Sequence, residues 1–129
     1  MLTAKQIIEH FNMQPLDIEG GAFIRVYESE DVLTQNLLPE RYRFFRQEKP
    51  FSTAILFLLT DQSCSRLHRL PTDEVYHFYL GDPVELVELL PNGTVQKTIL
   101  GQDILHGQKV QHTVQKSSWE RSKVLTGGK

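Results

Sequence analysis

After Pro50 the chain breaks into short runs of strand-forming residues, each ended by a turn signal, at a spacing of about 8–12 residues. Ser52 to Thr60 (STAILFLLT) is apolar on both faces, the pattern of a strand covered from two sides. Ser63 to Leu70 and Glu74 to Leu80 follow, separated by the tight reversal Pro71-Thr72-Asp73. Val84 to Leu90 turns through Pro91-Asn92-Gly93 into Thr94 to Leu100, and Asn-Gly is the strongest short hairpin signal. Gly101 to Gly107 reads as a loop and Val110 to Val114 as one more strand. Such a chain folds as an all-β sandwich or barrel. Periodicity alone does not choose among a jelly roll, an up-and-down barrel and an immunoglobulin-like sandwich.

The segment before Pro50 adds one helix and one strand. Thr3 is placed to cap a short helix, with Gln6 at the capping-box position. Ile7, Ile8 and Phe11 form its apolar stripe, and Asn12 is its expected stop. From Gly20 the period changes: Phe23, Arg25 and Tyr27 alternate with Ala22, Ile24 and Val26, as in a strand with one wetter face. Leu38 to Pro50 is polar and basic, so it reads as a solvated connection with a helical turn, where Arg41, Arg43, Arg46 and Lys49 are the candidates for meeting an anion.

Length and charge narrow the function. The 129 residues suit a single domain, expected over 1–129 with a helix in 1–14 and a β-barrel over 20–125. Fourteen basic against sixteen acidic residues, a net charge of −2, lack the basic face of a nucleic-acid binder. The longest apolar stretch, Ala54 to Leu59, is far short of the roughly 20 residues that span a bilayer. The first residues lack a signal-peptide pattern, and the lone Cys64 has no internal disulfide partner. A cytoplasmic protein with no nucleic-acid or membrane partner is the expectation.

One segment carries chemistry. In His68-Arg69-Leu70-Pro71-Thr72-Asp73-Glu74, followed after six residues by Gly81, an imidazole and a carboxylate are spaced to meet across a hairpin. This is the spacing of the first cupin motif, H-x-H, then three or four residues, then E, then six residues and G. Leu70 stands where that motif has its second His. The run from Glu19-Gly20-Gly21 through Phe23, Arg25 and Tyr27, then Ser52-Thr53-Ala54-Ile55, then SRLHRLPTDEVYHFYLGDP, resembles a functionally uncharacterised family of RmlC-like cupins. Leu100-Gly101, Gly107, Val110-Gln111 and Trp119 fall on that family's later markers. The resemblance implies an all-β double-stranded β-helix, the cupin jelly roll, behind a short N-terminal helix. It also implies a homodimer and chemistry like that of sugar-nucleotide epimerases.

The sequence departs from the family at two places. Gln115 and Ser117 replace the Pro and Gly of a Pro-x-Gly turn before the tryptophan. The family also continues for a further pair of strands past the point where this sequence stops, so a covering partner or a further tail is expected.

The expected site has His68 and Glu74 at its centre as an acid–base pair. Arg25, Tyr27, Tyr76, His77, Gln111 and Trp119 are its candidate ligand contacts. His68, Glu74 and His77 also offer the donors of a divalent transition metal. Strand alternation sets His77 and Glu74 on opposite faces unless a bulge intervenes. The second cupin motif should add a ligand near Trp119, where His112, Glu120 and Gln111 stand, none at the family's spacing. The expected function is binding of a small polar molecule, with carbohydrate or nucleotide-sugar isomerisation or epimerisation as the implied chemistry. The alternatives are a metal-dependent dioxygenase or isomerase and a non-catalytic binding module. His10 and His106 read as surface residues, and Cys64 has no evident activation.

Overall fold

The computed structural model describes residues 1–17, 20–42 and 48–125. They form two compact units, one of residues 1–14 and 22–58, the other of 15–21 and 59 onward. Glu19, Arg43 and Arg46 lie outside the described residues.

The first unit opens with helix α1 (Ala4–Phe11). Thr3 Oγ1 accepts from the Gln6 amide and the Gln6 side chain accepts from the Thr3 amide, which completes the capping box. Asn12 ends the helix in the left-handed conformation, φ +53°. A two-residue strand, β1 (Gln14–Pro15), stands at the boundary of the units. Strand β2 (Ala22–Glu28) is followed by β3 (Val32–Thr34), β4 (Glu48–Pro50) and β5 (Thr53–Leu58). β2 pairs antiparallel with β5, Phe23 opposite Phe57, and β3 pairs with β4. One 3-10 turn, Glu40–Tyr42, falls within the connection read from Leu38 to Pro50, and a second, Gln35–Leu37, precedes it. There Arg41 and Lys49 pack over the ring of buried Tyr42. β5 is less enclosed than its sequence implies, because its first three residues are exposed and Leu56 to Leu58 only partly covered.

The second unit holds β6 (Cys64–Arg69), β7 (Glu74–His77), β8 (Val84–Leu89), β9 (Val95–Leu100), β10 (Gln111–Val114) and β11 (Trp119–Val124). Four of these make a sheet in the order β6-β11-β8-β9, and β10 pairs with β7 in a two-stranded ladder. The β8–β9 turn is the expected Asn-Gly hairpin: Leu90 N–H donates to the Thr94 carbonyl, Asn92 Oδ1 accepts from Thr94 N–H, and Gly93 has φ +87°. Gly20, at φ +92°, lies so close to the Cys64 carbonyl that any Cβ there would collide with it.

Strand β11 is absent from the sequence expectation. Its six residues, WERSKV, bury Glu120 and Ser122 and expose Trp119, Arg121 and Lys123. An apolar period cannot reveal a strand whose covered side is polar. The core of this unit follows the same inversion: Leu86, Leu100 and Val114 are buried together with Ser65, Glu88, Thr98, Ser118, Glu120 and Ser122.

Candidate functional site

Cross-strand register assembles the site. His68 on β6 stands opposite Glu120 on β11, and Glu120 stands opposite Glu88 on β8. Directly paired residues in a sheet project to the same side, so these three form one row. On the other ladder His112 of β10 faces Tyr76 of β7, and alternation along β7 puts Glu74 on the Tyr76 side. Two short hydrogen bonds then tie the ladder to the sheet. Tyr76 Oη donates to Glu120 Oε1 at 2.6 Å, and His112 Nε2 bonds Glu88 Oε2 at 2.7 Å. Glu88 and Glu120 are only 2% exposed, so both bonds lie where water competes poorly.

The phenol of Tyr76 is held well above the usual tyrosine range. Burial is the main cause, and the negative charges of Glu74 and Glu120 add to it. It therefore remains a donor. One phenol proton cannot serve two carboxylates, and it goes to Glu120. Glu74 Oε1 is left buried without a hydrogen bond among the described residues.

His68 completes the group. Its Nδ1 lies 2.6 Å from the Arg66 carbonyl, and a carbonyl only accepts, so Nδ1 carries the proton and donates. That fixes the ring with Nε2 turned toward Glu120 Oε1, 3.5 Å away. Donation of the far ring nitrogen to a backbone carbonyl is how metal-binding histidines are oriented. One ligand atom each from His68, Glu74 and Glu120 lies within 4.8 Å of the others. Ligands about 2.0–2.2 Å from a common ion lie at most about 4.4 Å apart, so the set would close on a divalent cation with side-chain shifts of a few tenths of an ångström. An imidazole with two carboxylates suits Zn²⁺, Fe²⁺ or Mn²⁺.

The other expected contacts are placed as follows. His77 is on the opposite side of β7 from Glu74, exposed and bonded by Gln111 at 3.3 Å, with its ring stacked on Tyr79. No bulge brings it round, so it does not join His68 and Glu74, and Glu120 takes the third place. Gln111 is exposed with it. Trp119 is 38% exposed under the Arg69 guanidinium. Arg25 and Tyr27 belong to the first unit, where both are exposed and Arg25 Nη1 holds Glu28 Oε1 at 3.0 Å. Glu88 was missed altogether, because an acid in an alternating strand reads as its wet face. Its signal was the pair of glutamates in VELVEL, whose apolar neighbours lie on both sides.

Known proteins agree with this architecture. The family described as Cupin superfamily (DUF985) matches residues 5–128, nearly the whole chain, and the chain therefore belongs to that cupin family, with its all-β jelly-roll fold. A hypothetical protein from Leishmania major superposes with a TM-score of 0.83 at 25% identity, over 98% of this chain and 73% of that one. Protein SO0799 from Shewanella oneidensis gives 0.82 at 26% identity, over 99% of this chain and 73% of its own. No curated protein matches the sequence. Among the described residues no helix is long and apolar enough to cross a membrane.

Proposed function

We propose that this cupin binds a small polar molecule at a divalent transition-metal ion held by His68, Glu74 and Glu120. The observation that carries the reading is the buried Glu74 Oε1, left without a hydrogen bond among the described residues, within 4.8 Å of a second carboxylate and an imidazole nitrogen. Two carboxylates at such range repel unless a cation or a proton stands between them. When bound, such an ion supplies Lewis acidity to an oxygen of the bound molecule. The chain's own residues do the rest. The Arg66 carbonyl aims His68, Tyr76 holds Glu120 in place, and His68 and Glu74 meet the ligand from two strands.

Metal analysis after expression with added Zn²⁺, Fe²⁺ or Mn²⁺ tests this. Wild type should retain close to one equivalent of one of them, and Glu74→Gln should lose most of it with the fold intact by circular dichroism. Equal metal content in both proteins, or well under one equivalent in wild type, overturns the reading.

A second reading is favoured by the 2.7 Å bond between His112 and Glu88. The buried carboxylate orients the imidazole, and the protonated phenol of Tyr76 is its neighbour across the ladder. An imidazole so oriented suits proton transfer, as a base, on a hydroxylated substrate, the chemistry of a carbohydrate or nucleotide-sugar isomerase or epimerase. Here His112→Gln would abolish solvent-deuterium incorporation into a turned-over sugar and leave metal content unchanged. Incorporation at the wild-type rate in that variant rules it out.

A further inference from the structure

The sheet that builds the site has a second face. His68, Glu88 and Glu120 share the covered side of the β6-β11-β8-β9 sheet. Alternation therefore turns Trp119, Arg121 and Lys123, with their cross-strand neighbours, to the opposite side. That side is strongly basic. It carries Arg69, Lys97, Arg121 and Lys123, all exposed, and a bulge on β6 sets exposed Arg66 and Leu67 together opposite Arg121. Glu85, which holds Lys97 at 3.3 Å and Lys123 at 3.8 Å, is the only acid of the four strands on this side. The overall charge of −2 that spoke against a nucleic-acid partner is an average over the chain and hides this segregation. Arg66 and Arg121 also face each other as like charges, which weakens a sheet, and Arg121 has no ion-pair partner among the described residues.

The side chains are sorted into rows. Trp119 stands opposite Arg69 and Leu89, and Leu89 opposite Val95. Trp119, Leu89 and Val95 are 38%, 41% and 71% exposed, so the row is an apolar ledge in water, with the Arg69 guanidinium 5.2 Å from the indole centre. Two residues further along the strands, Arg121, Val87 and Lys97 form the next row, with Arg66 at its β6 end. The rows are about 6.7 Å apart, comparable with the separation of base and phosphate within one nucleotide. We infer that this face binds single-stranded nucleic acid, its bases stacked on Trp119 and the apolar ledge and its phosphates on Arg66, Arg121 and Lys97. Stacking on an aromatic ring beside a cationic track is how sheets hold single strands without reading sequence. A duplex keeps its bases paired and away from a flat sheet. Lys and Arg reach further from the sheet than Leu or Val, so a bilayer would meet the charges and leave the ledge unfilled. A second copy docked through the same face would set cations against cations. The inference is independent of the metal reading, since these side chains point away from that site.

Trp119 is the only tryptophan in the chain, so a base stacked on it quenches the intrinsic fluorescence directly. Titrating wild type with oligo(dT) of about 16 nucleotides should give saturable quenching. The dissociation constant should rise about tenfold between about 50 and 200 mM salt, as two or three phosphate contacts require. Read by anisotropy of a labelled strand, Trp119→Leu should weaken binding by about fivefold or more. Arg121→Gln should weaken it too and flatten the salt dependence. Both side chains are exposed, so the fold tolerates either change. Absence of quenching, or wild-type affinity in Trp119→Leu, overturns the inference. So does polyglutamate that displaces the oligonucleotide at equal charge, the mark of a site for acidic peptides. Capture by phosphatidylserine vesicles without oligonucleotide binding overturns it in favour of a membrane.

Discussion

Tyr76 is where the site and the stability of the second unit meet. Its phenol donates to Glu120 from a position where burial and two carboxylates oppose ionisation. The sign of the pH effect follows from the raised pKa. Below about pH 10 the folded and unfolded chains both keep this proton; above it the unfolded chain releases it and the folded chain does not. Stability from this group is thus complete below about pH 10 and falls at up to about 1.4 kcal/mol per pH unit above it. Tyr76→Phe should remove that alkaline slope, and it should cost about 1–3 kcal/mol at neutral pH because Glu120 loses a buried donor. Urea unfolding at pH 7 and pH 11 reads both effects, and parallel pH profiles for the two proteins would refute them. At this scale the sequence was half legible. The spacing of His68 and Glu74 was visible because a hairpin motif is local. Glu88 was not, and Glu120 stood only among the candidates near Trp119, since their burial depends on what the facing ladder donates to them.

The same contrast holds among the elements. α1, the β8–β9 hairpin and the runs that became β6, β7 and β10 are readable because caps, Asn-Gly and apolar alternation are local signals. β11 is unreadable by those signals, for its alternation is polar inside and mixed outside. The turn into it carries a cost of its own. Ser117 adopts φ +69°, and the Lys116 amide is pinned by Asp73 Oδ1 at 2.7 Å. A side chain in the left-handed region costs about 1 kcal/mol relative to glycine. Ser117→Gly should therefore stabilise the protein by up to about 1 kcal/mol, or a few degrees in a thermal melt. A lowered melting temperature would mean that the Ser117 side chain makes a contact outweighing the backbone term.

For the whole molecule, the all-β class was legible from turn spacing, because sheets of short strands leave few other ways to bury their faces. Which faces those are was not legible. Among the described residues the buried apolar side chains are Met13, Tyr42, Leu86, Leu100 and Val114, and the buried polar ones are Ser65, Glu88, Thr98, Ser118, Glu120 and Ser122. That makeup governs the response to temperature. Exposing apolar area raises the heat capacity of unfolding and exposing polar area lowers it, by about 0.45 and 0.26 cal/mol/K per Å². Scanning calorimetry should accordingly give an increment below the usual ~12–15 cal/mol/K per residue. The free energy of folding then changes slowly with temperature, so chilling weakens this protein less than it weakens one of equal length with an oily interior.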